Sequence, residues 1–351
     1  MSRNEISPIK PKFVGDFASN RDNNLNLIRI IAAIGVLISH AWAVSDGLVH
    51  EQPLSSLLKG TDLGKVSVYV FFAISGFLIA QSFVRSSNLK SFWVARIFRI
   101  FPALLVVLLV TAFILAPILT AAPMDELLKA IPAYITRNFT LFYLQHKLPG
   151  VFMDNPVHRI INIPLWTLNY ELICYFSVFL LGLAGVLKNR LSMIIAIIAF
   201  LVAYSFVLYF EPHKRLVNLA ELSLPFMTGV VFYVWREKIR LNLSIGLGLV
   251  TVAVICYPTP LFREAFVIAL AYVIFLLAYL PDGLIRQYNK LGDYSYGIYI
   301  YAFPIQQIVA QQGVTEPFVN IMISLPLALI CAVFSWCLIE RPSLSFSKRR
   351  R

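Results

Sequence analysis

The sequence contains few charged residues for its length. Asp, Glu, Lys and Arg make up 14% of the 351 residues, whereas about 25% is usual in soluble domains. Hydrophobic residues make up 59% of the chain, so it lacks the polar side chains that would cover a water-facing surface. This composition argues against a large soluble protein with buried helices and indicates an integral membrane protein.

Cysteine is also scarce. The four cysteines are Cys174, Cys256, Cys331 and Cys337, and none of them forms a CxxC pair. Three lie inside apolar runs, where the ordinary role of cysteine is that of a small buried side chain. A disulfide framework and a zinc site are both disfavoured, and we expect no metal.

Ten apolar runs are long enough to cross a hydrocarbon core of about 30 Å. They lie near residues 25–45, 64–84, 100–121, 165–187, 191–210, 219–235, 242–258, 264–281, 294–312 and 318–340. The runs predict an all-α, polytopic membrane domain over residues 25–342, between a polar tail (1–24) and a basic tail (343–351). Since no apolar leader precedes the first run, we expect that run to act as the signal anchor.

The net charge of +12 is distributed as expected for a membrane protein rather than a nucleic-acid-binding one. With the N-terminus inside, 20 Lys and Arg residues fall in cytoplasmic segments and 9 in external ones. Basic residues favour the cytoplasmic face and anionic lipid headgroups, so we predict that both ends are cytoplasmic. The longest connection, about residues 122–164, is then external and is predicted to form a lid or an acceptor-binding surface.

Ionisable residues within membrane spans are costly and usually face a cavity or a partner, and three of those in the predicted spans matter here: Arg29, His40 and Glu171. Arg29 and His40 are eleven residues apart, which places them within about 20° on one helix face and about 16 Å apart along the axis. Glu171 lies in the fourth span. Arg29 could instead snorkel to headgroups, His40 could hydrogen-bond a neighbouring helix, and Glu171 could pair with an arginine. A neutral imidazole is nevertheless a suitable general base.

Two further patterns occur near the second and third spans. Arg96 and Arg99 are three residues apart and share a helix face, an arrangement suited to bidentate binding of phosphates. Ordinary anchoring at the cytoplasmic boundary also explains the pair, and from spacing alone it is the preferred interpretation. Ser75 and Gly76 favour close packing against another helix.

Taken in order, these motifs resemble those of the bacterial acyltransferase family 3, integral membrane O-acyltransferases that modify glycans and related molecules. The matching segments are Arg29 and His40 with ten residues between them, FFAISGFL (71–78), RIFRIFP (96–102), LWTLNYE (165–171), LGDYSY (291–296) and ERP (340–342). Many members carry a histidine two residues before the proline of the ninth span. Here that position is Ala302, before Pro304, so no second histidine is available there.

The resemblance implies a donor, an acceptor and a site. The donor would be acetyl-CoA or another short acyl-CoA, with its phosphates held by Arg96 and Arg99 and its pantetheine region near Arg29. His40 would act as general base or form an acyl-imidazole, and Glu171 would orient the imidazole or an arginine. Possible polar wall residues are Tyr170, Tyr175, Ser295 and Tyr296.

The resemblance also implies that the acceptor is a cell-surface or lipid-linked glycan and that the protein resides in the bacterial plasma membrane. We expect membrane lipids, but no nucleic acid, as further partners. Two other functions stay open at this point: a proton-coupled transporter and a non-catalytic partner in polysaccharide export.

Overall fold

The computed structural model of the chain describes residues 12–18, 20, 22–47, 49–86 and 88–349. Within these residues there is no β-strand, and the predicted all-α fold is confirmed. In chain order the α-helices are α1 (Val14–Ala18), α2 (Leu25–Asp46), α3 (Leu63–Arg85), α4 (Leu89–Val110), α5 (Ala116–Leu119), α6 (Met124–Thr140), α7 (Trp166–Leu183), α8 (Arg190–Phe210), α9 (Lys214–Val234), α10 (Leu243–Ile255), α11 (Phe262–Tyr279), α12 (Ser295–Gln311), α13 (Pro317–Ser335) and α14 (Arg341–Arg349).

Two short π-helical segments keep longer helices continuous. Thr111–Leu115 joins α4 to α5, and Trp336–Glu340 joins α13 to α14. Single π-helical turns often occur at functional sites because they re-aim the side chains of one turn. The second segment ends at Glu340, a buried carboxylate.

Eight helical segments among the described residues are long and apolar enough to cross a membrane. α10 has 13 residues and α12 has 17. At about 1.5 Å per residue both are shorter than a hydrocarbon core of about 30 Å. Each of the ten predicted spans contains a helix, and all of these helices except α10 and α12 belong to the eight segments of spanning length. The count of ten and the orientation stay predictions.

The outer helices expose apolar side chains. On α8, for example, Leu191, Ile195 and Val202 are each more than half exposed. Contact with lipid chains explains this surface, because hydrocarbon is the favourable environment for such side chains.

The centre of the bundle is the close contact between α3 and α9. A Cβ added to Gly76 on α3 would lie 1.9 Å from the carbonyl oxygen of Phe226, and one added to Gly229 on α9 would lie 2.0 Å from that of Ala73. Only glycine permits this backbone approach. The packing interpretation of Gly76 is thereby confirmed.

The predicted connection 122–164 is helical in its first part. α6 buries Leu127, Ile131 and Tyr134, three or four residues apart on one face. Acidic residues in its first turn and Arg137 in its last turn complement the helix dipole. Its charges disfavour a membrane span and are compatible with an amphipathic helix that packs against α4.

The rest of that connection packs onto α12. The side-chain amide of Asn162 donates to the carbonyl of Ile300 at 2.9 Å, and that of Asn155 donates to the carbonyl of Gln307 at 2.8 Å. The segment therefore covers the end of the bundle at which α2 ends and α3, α9 and α11 begin. We call this the His40 end, and the opposite one the Asp293 end.

The described part of the N-terminal tail is held at the Asp293 end. The amide of Leu241 donates to the carbonyl of Lys12 at 2.8 Å, so the tail contacts the basic segment after α9. Residues 1–11, 19 and 21 of this tail and residues 350–351 of the basic C-terminal tail lie outside the described residues. α14 extends the last helix to residue 349.

Candidate active site

His40 lies near the C-terminal end of α2 and lines a cavity of about 450 Å³ at the His40 end. Its ring meets Phe303 of α12 edge-on, with the ring centroids 5.3 Å apart. Phe303 directly follows Ala302, the position at which the resemblance would place a second histidine. The Phe303 ring therefore packs against one side of the imidazole, and the cavity gives the imidazole access to a ligand.

The cavity around His40 has charged walls. Asp62, Lys65, Lys214 and Glu221 all line it. Asp62 is the N-cap of α3, and its Oδ1 accepts hydrogen bonds from the amide of Lys65 at 2.8 Å and the hydroxyl of Ser39 at 3.0 Å. These bonds fix a carboxylate in the cavity that His40 lines.

Glu221 joins three helices through two ion pairs. Its Oε2 lies 2.8 Å from Nζ of Lys65, and its Oε1 lies 3.0 Å from Nη1 of Arg263. The Glu221 side chain is 12% exposed, whereas those of Lys65 and Arg263 are 33% and 37% exposed, so the carboxylate is the more shielded partner in both pairs. The two ion pairs connect α3, α9 and α11, and Lys65 and Glu221 also line the His40 cavity.

A second charged cluster, the Asp293 cluster, lies at the other end of α2. Oδ2 of Asp293 lies 2.8 Å from Nη1 of Arg29 and 2.5 Å from Nη2 of Arg99. Nη1 of Arg99 also lies 3.8 Å from Oε2 of Glu340. Burial by itself raises the pKa of Asp293, but the two guanidinium groups outweigh it and lower the pKa to about 2. Asp293 therefore stays ionised at physiological pH.

Arg29 also borders a small cavity of about 40 Å³, which it shares with Glu171 and Tyr296. Oε1 of Glu171 accepts hydrogen bonds from the hydroxyls of Ser75, at 3.0 Å, and Tyr175. Glu171 is thus fixed beside the Arg29 cavity. Of its two expected roles, this placement fits orientation of an arginine better than orientation of His40.

The Arg29 cavity and the His40 cavity have a common wall. Val68, Thr167 and Tyr299 line both of them. The hydroxyls of Thr167 and Tyr299 lie 2.5 Å apart, and Tyr299 also donates to the carbonyl of Pro164 at 3.1 Å. The line from Arg29 to His40 inferred from helix periodicity therefore corresponds to two adjoining cavities.

The two arginines near the start of α4 have different surroundings. Arg99 reaches the Asp293 cluster, whereas Arg96 is buried against its own helix. Nη1 of Arg96 donates to the carbonyl of Phe92 at 2.8 Å, and its guanidinium carbon lies 4.3 Å from the centroid of the Phe92 ring. The Arg96 guanidinium therefore lies against the Phe92 ring, whereas that of Arg99 lies in the Asp293 cluster.

The four expected wall residues also differ in their surroundings. Tyr296 lines the Arg29 cavity and donates to the carbonyl of Ile100 at 2.9 Å. The Tyr175 hydroxyl bonds Glu171, and the Ser295 hydroxyl bonds Oδ1 of Asp293 at 2.5 Å. Tyr170 packs edge-on against Trp166 at 5.4 Å. Tyr296 can contact a ligand directly, while Tyr175 and Ser295 position carboxylates.

Several residues of the site were not identified from the sequence. Asp293 and Glu340 occur within recognised motifs, but their pairing with arginines was not predicted. Glu221 falls inside the predicted span 219–235, where a carboxylate is as costly as at Glu171. That criterion, applied along the whole chain, would have identified it.

Comparison with known proteins identifies the family. The sequence model of acyltransferase family 3, described as an acyltransferase domain, matches residues 22–340. The chain is 26% identical over 337 residues to an O-acetyl transferase of Shigella phage Sf6, covering 93% of this chain and 98% of that protein. It is also 26% identical over 379 residues to nodulation protein 10 of Rhizobium leguminosarum bv. viciae, covering 94% of this chain and 95% of that protein.

A shorter similarity, 34% identity over 92 residues, links it to the acyltransferase MdmB of Streptomyces mycarofaciens and covers 26% of this chain and 24% of that protein. No solved structure matches the chain significantly. The family model spans the Asp293 cluster, both cavities and nearly every described helix. The resemblance drawn from the motifs is confirmed, and the chain belongs to the acyltransferase family 3.

Proposed function

We propose that the protein transfers an acetyl or other short acyl group from acyl-CoA to a hydroxyl of a cell-surface or lipid-linked glycan, in the bacterial plasma membrane. The relatives named as an O-acetyl transferase and an acyltransferase support O-acyl transfer. The observation that carries the proposal is the adjoining pair of cavities. His40 lines a polar cavity open to a ligand, and Arg29 lies on the far side of the wall at Val68, Thr167 and Tyr299.

In this proposal the donor approaches from the Asp293 end. Arg99 and Arg29 are held by Asp293, and each guanidinium has five N–H donors, of which only some are used there. Together with Arg96, the remaining donors suit the phosphates and the pantetheine region of the donor. Glu171 in the Arg29 cavity can accept hydrogen bonds from the pantetheine amides.

The Arg29 cavity has to widen for the donor to reach His40. A cavity of about 40 Å³ has room for only about three water molecules, because one water needs about 10–15 Å³, and this is too little for a pantetheine arm. The Thr167–Tyr299 hydrogen bond closes the wall between the two cavities. Donor binding therefore involves a shift of these side chains.

The chemical step uses His40 as a general base. The imidazole takes the proton of the acceptor hydroxyl as its oxygen bonds to the thioester carbonyl carbon. The carbon–sulfur bond then breaks, and the imidazolium returns the proton to the leaving thiolate, which gives an ester and free CoA. Asp62 lines the same cavity, so its negative charge stabilises the imidazolium. Transfer through an acyl-imidazole forms the same products in two steps.

The test is CoA release by purified protein, together with mass analysis of the glycan. Wild-type protein, supplied with acetyl-CoA and de-acetylated surface glycan of the host, is expected to release CoA and to raise the glycan mass by about 42 Da per acetyl group, the mass of the group less the hydroxyl hydrogen that it replaces. We expect His40→Gln to lower kcat by about 10²–10⁴-fold, the usual contribution of a general base. His50→Gln is the matched control, because the His50 side chain is 77% exposed and lines neither cavity.

A donor-binding measurement completes the test. His40→Gln should bind a non-hydrolysable acetyl-CoA analogue as wild-type does, because its predicted role is proton transfer. Wild-type turnover in His40→Gln at equal folded yield would exclude His40 as the base. Wild-type protein that releases no CoA would favour a transporter or a non-catalytic export partner instead.

A further inference from the structure

A second large cavity lies at the His40 end, outside the site described so far. Its volume is about 560 Å³, and α3, α8, α9 and α11 contribute to its walls. Glu221 lines this cavity and also the His40 cavity. The connection before α3 separates the two, since Lys59 and Thr61 face the second cavity and Gly60 and Asp62 face the first.

Two buried polar atoms in the wall of this cavity have no hydrogen-bond partner among the described residues. They are the hydroxyl of Tyr69 and Oε2 of Glu264. Tyr69 is 1% exposed. The other oxygen of Glu264 accepts a hydrogen bond from the hydroxyl of Tyr204 at 2.8 Å, so the carboxylate is already held in place. Buried polar atoms are normally paired, and these two are available to a polar ligand.

The charges of the wall indicate what kind of ligand fits. Three carboxylates, Glu211, Glu221 and Glu264, line the cavity together with two cations, Lys59 and Arg263. Arg263 is already paired with Glu221. An excess of carboxylates disfavours a phosphate or another anion and favours a ligand with hydroxyl donors, because ionised carboxylates only accept hydrogen bonds.

We propose that this second cavity is a subsite for the acceptor glycan, binding the sugar residues next to the one that His40 acylates. The inference rests on the proposed acyl transfer. Both cavities fall in the range of about 300–1,000 Å³ typical of small-ligand sites, so each has room for at least one sugar ring. A glycan that passes over Glu221 occupies both, and the protein therefore prefers an oligosaccharide to a single sugar.

The experiment compares two acceptors with purified full-length protein and acetyl-CoA. They are a monosaccharide and a tetrasaccharide fragment of the host surface glycan, both de-acetylated with mild base. We expect wild-type protein to show a KM for the tetrasaccharide at least about tenfold lower, because two or more additional hydrogen bonds form. The expected kcat is similar for both acceptors, since the reacting hydroxyl meets the same imidazole.

Two variants test the cavity itself. Tyr69→Phe removes a hydroxyl that has no hydrogen-bond partner in the described part of the chain, and Glu264→Gln preserves the side-chain shape while removing the charge. Each is expected to raise the KM for the tetrasaccharide about tenfold and to leave the KM for the monosaccharide and the unfolding temperature unchanged. The matched control is Tyr288→Phe, whose hydroxyl is also buried and unpartnered among the described residues but lies at the Asp293 end.

The outcomes separate this inference from the function on which it rests. Equal KM values for both acceptors in the wild-type protein overturn the subsite and leave acyl transfer intact. The subsite is also overturned if the two variants affect both acceptors equally, or neither of them. Wild-type protein that acylates neither fragment overturns the proposed function, and the subsite with it.

Discussion

The Asp293 cluster allows a prediction whose size follows from the structure. Asp293→Asn preserves the shape of the side chain but removes the carboxylate charge that lies within 2.8 Å of both Arg29 and Arg99. The Asp293 side chain is 8% exposed and each arginine side chain is 20% exposed, so solvent screens these charges weakly. Removing one partner of a buried ion pair costs about 3–5 kcal/mol, because the other charge stays buried without compensation.

We therefore expect Asp293→Asn to lower the unfolding midpoint in detergent by about 5–10 °C. The measurement is the temperature at which half of the purified protein no longer elutes as a monodisperse peak. Asp282→Asn is the matched control, because Asp282 is exposed in the same connection. A double variant, Asp293→Asn with Arg99→Gln, should recover part of the loss, since one uncompensated cation is removed.

Two results would refute this reasoning. Asp293→Asn that unfolds at the wild-type temperature would show that the cluster contributes nothing to stability. Additive effects in the double variant would show that Asp293 and Arg99 are not energetically coupled, despite the 2.5 Å between their charged groups.

Three further predictions concern topology, packing and the donor. With native cysteines replaced by alanine, Asp154→Cys should react with impermeant thiol reagents in intact cells and Lys238→Cys should not; the reverse pattern contradicts the orientation. Gly76→Ala should lower the free energy of unfolding by about 1–3 kcal/mol or more and reduce the yield of folded protein, because the added Cβ would lie 1.9 Å from a carbonyl oxygen. The control Gly248→Ala should leave both unchanged, because its Cβ would have no atom within 4 Å. Arg29→Lys should raise the KM for acetyl-CoA, because it keeps the charge but loses the planar fork; an unchanged KM would remove Arg29 from donor binding.

The sequence by itself determined the class of protein and its family. Scarce charge and long apolar runs are local properties, and a chain that cannot cover a water-facing surface has to place these runs in a membrane as helices. Helix periodicity, also local, placed Arg29 and His40 on one face of α2. The family followed from six short motifs in order, each of them readable without knowledge of the fold.

Only the tertiary structure decided which charges pair and which cavities form. Arg29 pairs with Asp293, 264 residues further along the chain, and Glu221 pairs with Lys65 and Arg263 from two other helices. Periodicity determines the face on which a residue lies, but not which helix covers that face. That choice depends on the packing of the whole bundle, including the contact between α3 and α9 at Gly76 and Gly229. The same packing separates the Arg29 and His40 cavities by a single wall, which is a property of several helices together and of no one segment of the chain.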